Sequence, residues 1–386
     1  MPAKNPNQVS SQLLGGLAPD EFCATIWHRK PLLIRQAIPG FTPLLSADEL
    51  FAMARQEHVE NRLITAFAGK WRMQHGPLAK LPARSKPGWT LLVQGANLYN
   101  DAVHALLERF TFIERARLDD VMISYASDTG GVGAHFDSYD VFLLQAAGRR
   151  RWRISTQKDL SLIEGMPLKI LKNFKPTQEW VLEPGDMLYL PPHVAHEGVS
   201  LDNDCMTYSI GFRAAARQEL VSALLDDLQE VLDIDGHLSN AQRVAATPQQ
   251  SAQLPADLVD QLEELVKRHW PGRATLTDFL GRALTETKPG TVFDAPARGN
   301  IADGLTLARA TRALHTTGWF FINGESWKTG GDDAKRLVKL AARRQLSAQD
   351  VQAASAALHD LLNEWKELGW IIPIAAARKS RPALSR

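Results

Sequence analysis

Apolar and polar positions change their spacing twice along this chain, and each change predicts a different kind of element. In the first third, Pro19–Trp27 (PDEFCATIW) has helical spacing, with Asp20 and Glu21 in the opening turn where they complement the helix dipole. His28–Ile38 (HRKPLLIRQAI) carries a leucine- and isoleucine-rich run and predicts a strand, and Ser46–Gln56 and Asn97–Glu108 return to helical patterns. From Asp119 to Phe212 the texture becomes short β-type runs, VMISYA, DVFLLQ, RRRWRIS and MLYLPP, separated by the turn signals DTGGVG, AAG and EPGD. Many short strands with Gly and Pro punctuation and one buried face predict a β-sandwich or barrel.

After Phe212 the pattern turns helical. Arg217–Leu232 aligns Leu220, Leu224, Leu225, Leu228 and Leu232 into a wide apolar stripe. Leu254–Trp270 and Leu276–Leu284 repeat the style, with a Pro-, Gln- and Ala-containing linker at Val244–Pro255. These stripes need cover from one another, from the barrel or from a second subunit. From Gly290 the predicted order is helix (Ala302–Leu314), strand (Gly318–Ile322), helix (Asp333–Arg343), helix (Ala348–Leu368) and strand (Trp370–Ile374), a small α+β, winged-helix-like module. The expected architecture is thus α+β, with domains at residues 1–213, 214–288 and 289–386.

Composition narrows the function classes. The chain has 386 residues, 45% hydrophobic and 23% charged, with a net charge of +1, enough for a sizeable core and no whole-molecule case for nucleic acid or membrane. No run reaches the length of a membrane span, and the opening MPAKNPNQVSSQLLGG lacks the apolar core of a secretory signal. Cys23 and Cys205 form neither a zinc pattern nor a disulfide framework, so a reducing cytoplasm is expected. Lys339, Arg343, Arg344 and the tail Arg378-Lys379-Ser380-Arg381 make the last segment somewhat basic, which reads as solvated surface and not a nucleic-acid contact.

Candidate chemistry centres on His135-Phe136-Asp137. On an extended chain, residues two apart share a face, so His135 and Asp137 can grip one ion. A distant histidine would complete a two-histidine, one-carboxylate set, which leaves positions open on the metal and suits non-haem Fe(II). Two candidates follow Pro191-Pro192: His193, in the loop just after the prolines, and His196, opening the next strand. A ligand at a strand start is better held, which favours His196. Downstream of the pair, Arg150 shares a strand face with Trp152 and Ile154, so its guanidinium points inward while Arg149, Arg151 and Arg153 point away. A buried guanidinium needs a carboxylate: a structural Asp or Glu, or the distal carboxylate of a metal-bound 2-oxo acid. The glycine-rich Asp128–Gly133 is not followed by a phosphate-loop Lys-Ser/Thr or a helix, and reads as a barrel corner or a close approach of backbone to ligand. Tyr139 and Asp140 fall where a barrel mouth would contact substrate.

Taken together, WHRKPLLIRQAIPGF, GGVGAHFDSYDVFLLQAAGRRRWRIS and LEPGDMLYLPPHVAHEG resemble the JmjC-type ribosomal oxygenases of bacteria, over most of the chain. The resemblance implies a double-stranded β-helix (cupin, JmjC jelly-roll) catalytic domain, a helical dimerisation region and a winged-helix-like C-terminal domain that does not read DNA. It implies His135, Asp137 and His196 as ligands of Fe(II), Arg150 as the holder of 2-oxoglutarate, and O2 as co-substrate. It implies as target an arginine of the sixteenth large-subunit ribosomal protein, with Tyr139 and Asp140 suited to a cation. At His193 the chain departs from relatives that tend to carry a small residue. Other readings are a histidine hydroxylase of another ribosomal protein and a non-catalytic cupin with a winged helix that senses a ligand.

Overall fold

The computed structural model describes residues 12–67, 69–213, 215–238 and 246–374. Contacts divide them into two compact units: one holds the residues up to 213, Lys288–Thr311 and those from Asp360 onward, and the other holds Ala215–Thr287 with Arg312–His359.

Up to residue 213 the first unit contributes eleven described strands: β1 (Leu32–Ile34), β2 (Asn61–Phe67), β3 (Lys70–His75), β4 (Trp89–Val93), β5 (Leu118–Ala126), β6 (Val141–Ala147), β7 (Arg150–Ser155), β8 (Gln178–Leu182), β9 (Met187–Leu190), β10 (Ala195–Ser200) and β11 (Cys205–Phe212). Eight form a sheet in the order β1-β9-β6-β11-β5-β4-β2-β3, and three form a second sheet, β10-β7-β8. Side-chain alternation gives the large sheet two different faces. Phe142 and Leu144, Met187 and Tyr189, Val121, Ile123 and Tyr125, and Tyr208 and Ile210 join one apolar core. Helices α1 (Pro19–Thr25), α2 (Ala47–Met53) and α3 (Asp101–Glu108) contribute Phe22, Leu50, Val103 and Leu106 to that core. The intervening Val141, Leu143, Leu188 and Leu190 instead meet Trp152, Ile154 and Leu182 of the small sheet in a second cluster. Two sheets closing over a shared interior make the jelly-roll expected from the sequence.

Several boundaries differ from the sequence expectation. The strand expected over His28–Ile38 shrinks to Leu32–Ile34, because His28 and Gln36 adopt left-handed φ values of 58° and 49° that take both ends off the ladder. Asn97–Glu108 is not one helix: Asn100, extended and accepting the amides of Ala102 and Val103, starts α3 afresh after a short 3-10 turn.

In the second unit, α4 (Arg217–Val231), α6 (Ala256–His269) and α7 (Arg273–Thr285) follow the expected helical segments, while the short α5 (Pro248–Ser251), capped by Thr247, forms inside the expected linker. Residues 244 and 245 of the linker and the basic tail at 378–381 lie outside the described residues. The expected helix Ala302–Leu314 is absent. In the first unit β12 (Gly304–Leu307) buries Leu305 and Leu307 and pairs with the C-terminal Ile371–Pro373, and in the second unit β13 (Ala313–Thr316) opens an antiparallel meander with β14 (Trp319–Ile322) and β15 (Glu325–Lys328). Gly304 at φ +99° and the alternation of Leu305 and Leu307 override the helix-like spacing. Helix α8 (Gly331–Arg343) and strand β16 (Gln345–Ser347) follow. Ala348–Leu368 then breaks into α9 (Ala348–Gln352) and α10 (Ala356–Glu367), where the Ser355 hydroxyl accepts the Leu358 amide and restarts the helix; β17 (Ile371–Pro373) is the last element among the described residues. No helix among the described residues is long and apolar enough to cross a membrane.

Candidate metal centre and active site

The interior face of the large sheet is polar where a core would be apolar. On β5, Asp120, Met122 and Ser124 point inward; on β11, Thr207, Ser209 and Gly211 do. With Arg62, Gln94, Tyr139 and residues of the small sheet, they line a cavity of about 510 Å3.

His135, Asp137 and His196 meet in this cavity. They are a group of His and acidic side chains whose candidate donor atoms all lie within 4.8 Å of one another. His135 and His196 form a backbone bridge, and Nε2 of His196 lies 3.6 Å from Oδ2 of Asp137. Each imidazole is oriented from behind. Nδ1 of His135 is 2.9 Å from the Gly133 carbonyl, and Nδ1 of His196 is 2.9 Å from the Val194 carbonyl. Carbonyl oxygens only accept, so each Nδ1 carries the proton and each Nε2 keeps its lone pair. Burial, reinforced by His135 and opposed by Asp137, pushes the His196 imidazole down to about 4, so it is neutral at physiological pH. Two neutral nitrogens and one carboxylate fit a first-row divalent ion with open positions. His193 stands apart: it is exposed, left-handed at φ 64°, and its ring lies 5.8 Å from that of Phe136. Its amide nevertheless supports the site by donating to the Asp137 carbonyl at 2.7 Å.

Arg150 points inward, as strand alternation requires. It is 3% exposed, lines the cavity, and its Nε and Nη2 have no hydrogen-bond partner, while its Cζ lies 5.8 Å from the Trp152 ring centroid. An uncompensated buried guanidinium costs several kcal/mol, so this cavity is built for an anion. Its strand neighbours do differ: Arg149 pairs with Asp202 and Arg153 with Glu197 on the outer side. Register sets the spacing, since His196 opposes Ile154 and Ser200 opposes Arg150; four residues of strand are about 13 Å. Gly198, between them, faces Trp152, whose ring a Cβ there would approach to 2.7 Å. Gly131 similarly lets the barrel corner pass the Gly198 carbonyl, 2.6 Å from where a Cβ would be.

Gly211, where a Cβ would stand 3.7 Å from Asp120 Oδ1, opposes Val141, two residues from Tyr139 and four from Asp137, so Asp119, Asp120 and Tyr139 line the triad end of the cavity. Burial first, then the charges of Asp137 and Asp120, raises the Tyr139 hydroxyl above its ordinary range. Asp140, expected at the mouth, is elsewhere. It is buried on the opposite face, its carboxylate 2.9 Å from His28 Nδ1 and accepting the Tyr189 hydroxyl at 2.5 Å. Alternation explains the correction: Tyr139 and Val141 face the cavity, so Asp140 and Phe142 face the helix-covered core. Asp120, Thr207 and Ser209, which also line the cavity, are signalled in the sequence by the polar alternation of DDVMISYA and CMTYSIGF, whereas Asp119 and Gln94 carry no such pattern.

This fold and site define a JmjC-type oxygenase, and the JmjC domain family matches residues 105–220, which contain His135, Asp137, Arg150 and His196. An AraC-like ligand binding domain family also matches, over residues 177–274, a span that excludes His135, Asp137 and Arg150. The chain is 30% identical over 345 residues to the ribosomal protein uL16 3-hydroxylase of Escherichia coli (strain K12), covering 86% of this chain and 90% of that protein. It is 34% identical over 214 residues to a probable ribosomal oxygenase of Haemophilus influenzae, covering 54% of this chain and 52% of that one. Among solved structures, E. coli YcfD superposes with a TM-score of 0.83 at 28% identity, covering 92% of this chain and 98% of that chain. YcfD in complex with cobalt and 2-oxoglutarate gives 0.78 at 29% identity over the same shares. The chain belongs to the JmjC-domain ribosomal oxygenases of bacteria.

Proposed function

We propose that this protein is an Fe(II)- and 2-oxoglutarate-dependent dioxygenase that hydroxylates an arginine side chain of the ribosomal protein uL16. The observation that carries the reading is the pairing, in one cavity, of the three-donor cluster with the unpartnered buried guanidinium of Arg150. His135, Asp137 and His196 would hold the iron, and Arg150 would take the distal carboxylate of 2-oxoglutarate in a bidentate, charge-assisted pair. When bound, the iron with 2-oxoglutarate and O2 supplies the oxidising power to place one oxygen atom in a C–H bond, with succinate and CO2 as co-products. The protein's part is to orient the target carbon and exclude water with Val141, Leu143 and Trp152. The uL16 specificity of the E. coli relative supports the choice of substrate. The acidic Asp119 and Asp120 at the triad end, with the Tyr139 ring beside them, suit a guanidinium better than a neutral imidazole.

The helical segment 214–288 is inferred to make a homodimer, since Val221, Leu225, Leu262 and Val266 expose about half of their surface. The last domain, 289–386, is read as winged-helix-like with no nucleic-acid role, and the protein as a cytoplasmic modifier of a large-subunit ribosomal protein. The test is mass analysis of ribosomal proteins from cells with and without this gene. A gene-dependent gain of one oxygen on an arginine of uL16 supports the reading. A gain on a histidine of another ribosomal protein replaces the target, and no gain on any of them favours the non-catalytic, ligand-sensing cupin.

A further inference from the structure

Asp119 and Asp120 are consecutive residues on β5, yet both carboxylates reach the cavity lining, and a single cation lies between them. Lys288 Nζ is 3.1 Å from Oδ2 of Asp119 and 2.9 Å from Oδ2 of Asp120. Arg213 Nε donates to Oδ1 of Asp119 at 3.0 Å, and Gln94 Nε2 donates to Oδ2 of Asp120 at 2.8 Å. Both bonds to Asp120 land on Oδ2, which leaves Oδ1 over Gly211, 3.7 Å from where a Cβ would stand on that cavity-lining residue. Lys288 is also where the chain returns to the first unit, and Arg213 is the last described residue before it leaves.

We propose that Lys288 is a positioning residue for the target side chain: by clamping Asp119 and Asp120 side by side at the triad end of the cavity, it presents Asp120 Oδ1 to an incoming guanidinium. The inference rests on the arginine reading above. A buried carboxylate beside a half-buried one, as Asp120 is beside Asp119, does not stay ionised together with its neighbour without a cation between them. Burial pulls Asp119 upward, but Lys288 and Arg213 more than offset it and hold that carboxyl below its ordinary value. For Asp120 burial wins, with the Asp119 charge adding to it and Lys288 and Gln94 opposing, so this carboxyl sits above its ordinary value even with the lysine present. Lys288 is itself raised: burial opposes its charge, and the two carboxylates overcome that. Tyr139 faces the pair from the cavity, its hydroxyl feeling both carboxylates and, in the opposite sense, Arg62, while His58, Glu60 and Tyr99 line a small pocket together with Asp120 and Lys288. Without Lys288, Asp120 would take up a proton closer to neutrality, and a neutral carboxyl cannot form the charge-assisted pair.

The experiment measures steady-state hydroxylation of a uL16 peptide as a function of pH for the wild type, Lys288→Met and Lys288→Arg. Lys288→Met is expected to raise the peptide KM roughly tenfold with kcat within about threefold, because a charge-assisted contact of about 1.4 kcal/mol is lost. The acidic limb of its kcat/KM profile should move to higher pH, and Lys288→Arg should restore both. An unchanged KM and limb in Lys288→Met, or a loss that Lys288→Arg does not repair, overturns the inference. If Lys288→Met does not fold, NMR of labelled aspartate carboxyls in the wild type replaces it: the peptide must lower the Asp120 titration midpoint, and an unmoved midpoint overturns the inference. A wild type that hydroxylates no arginine peptide refutes the substrate reading, and this inference with it. Wild-type hydroxylation with an indifferent Lys288→Met refutes the inference alone.

Discussion

His135 and His196 hold each other by the backbone: the amide of each donates to the carbonyl of the other, at 2.9 and 2.7 Å, and their ring centroids lie 4.2 Å apart. Two candidate ligands far apart in sequence are therefore placed by one antiparallel bridge and not by mobile loops. Replacing either histidine with Ala should cost roughly 100-fold or more in affinity for a divalent ion, beyond the range seen for outer-sphere partners. Calorimetric titration with Co(II) measures this. His193→Ala should leave that affinity within about twofold, because its exposed ring packs on Phe136 outside the donor cluster; a larger loss would place the wrong histidine at the metal.

Arg150→Met should separate function from stability. Losing the only charge-assisted fork proposed for 2-oxoglutarate should raise its KM on the order of 10- to 100-fold. Stability of the ligand-free protein should hold or rise, since a buried guanidinium with unpartnered Nε and Nη2 is removed. Urea midpoints beside the 2-oxoglutarate dependence of turnover check both halves, and a marked loss of stability would mean Arg150 has a structural partner.

Gly198→Val tests the packing behind Arg150. A Cβ at residue 198 comes within 2.7 Å of the Trp152 ring, and overpacking of this kind costs about 1–3 kcal/mol. Trp152 also lies against the guanidinium, 5.8 Å from Cζ to ring centroid, so the 2-oxoglutarate KM should rise together with the fall in urea midpoint. A fall in midpoint with an unchanged KM would show that Trp152 does not position Arg150.

The metal-free protein should lose stability in mild acid. His196 is a base whose folded value is lowered by burial and by His135, against Asp137, from 6.5 to about 4. Between those values the unfolded chain binds the proton and the folded one does not, so stability falls as pH drops from about 6.5 and levels off below about 4, by an amount on the order of 3 kcal/mol. Urea denaturation across that range should show the slope, and His196→Asn should flatten it. An equal slope in both would assign it to other groups.

Strand alternation made most of the site legible in the sequence. The inward turn of Arg150 and Trp152, and the placing of His135 beside Asp137, follow from period-two geometry inside short segments. Asp140 obeys the same rule: Tyr139 and Val141 line the cavity, so Asp140 between them turns to His28 and Tyr189 on the opposite face and not to the mouth. Lys288 could not be read at all: it meets Asp119 and Asp120 from 168 or more residues away, and no local pattern encodes that pairing. The helix expected at Ala302–Leu314 failed because the pairing of Leu305 with Pro373 and Leu307 with Ile371, a partner more than sixty residues further along, decides the backbone there.

The central claim is that one iron held by His135, Asp137 and His196 couples 2-oxoglutarate turnover to oxygen insertion at a uL16 arginine. The most direct measurement incubates the purified protein with Fe(II), 2-oxoglutarate, O2 and a uL16 peptide. It then compares the succinate formed with the oxygen gained, located by fragment-ion mass spectrometry. The account expects close to one succinate per hydroxylated arginine, and neither product from Asp137→Ala. Succinate with no oxygen on arginine, or hydroxylation that survives Asp137→Ala, would contradict it.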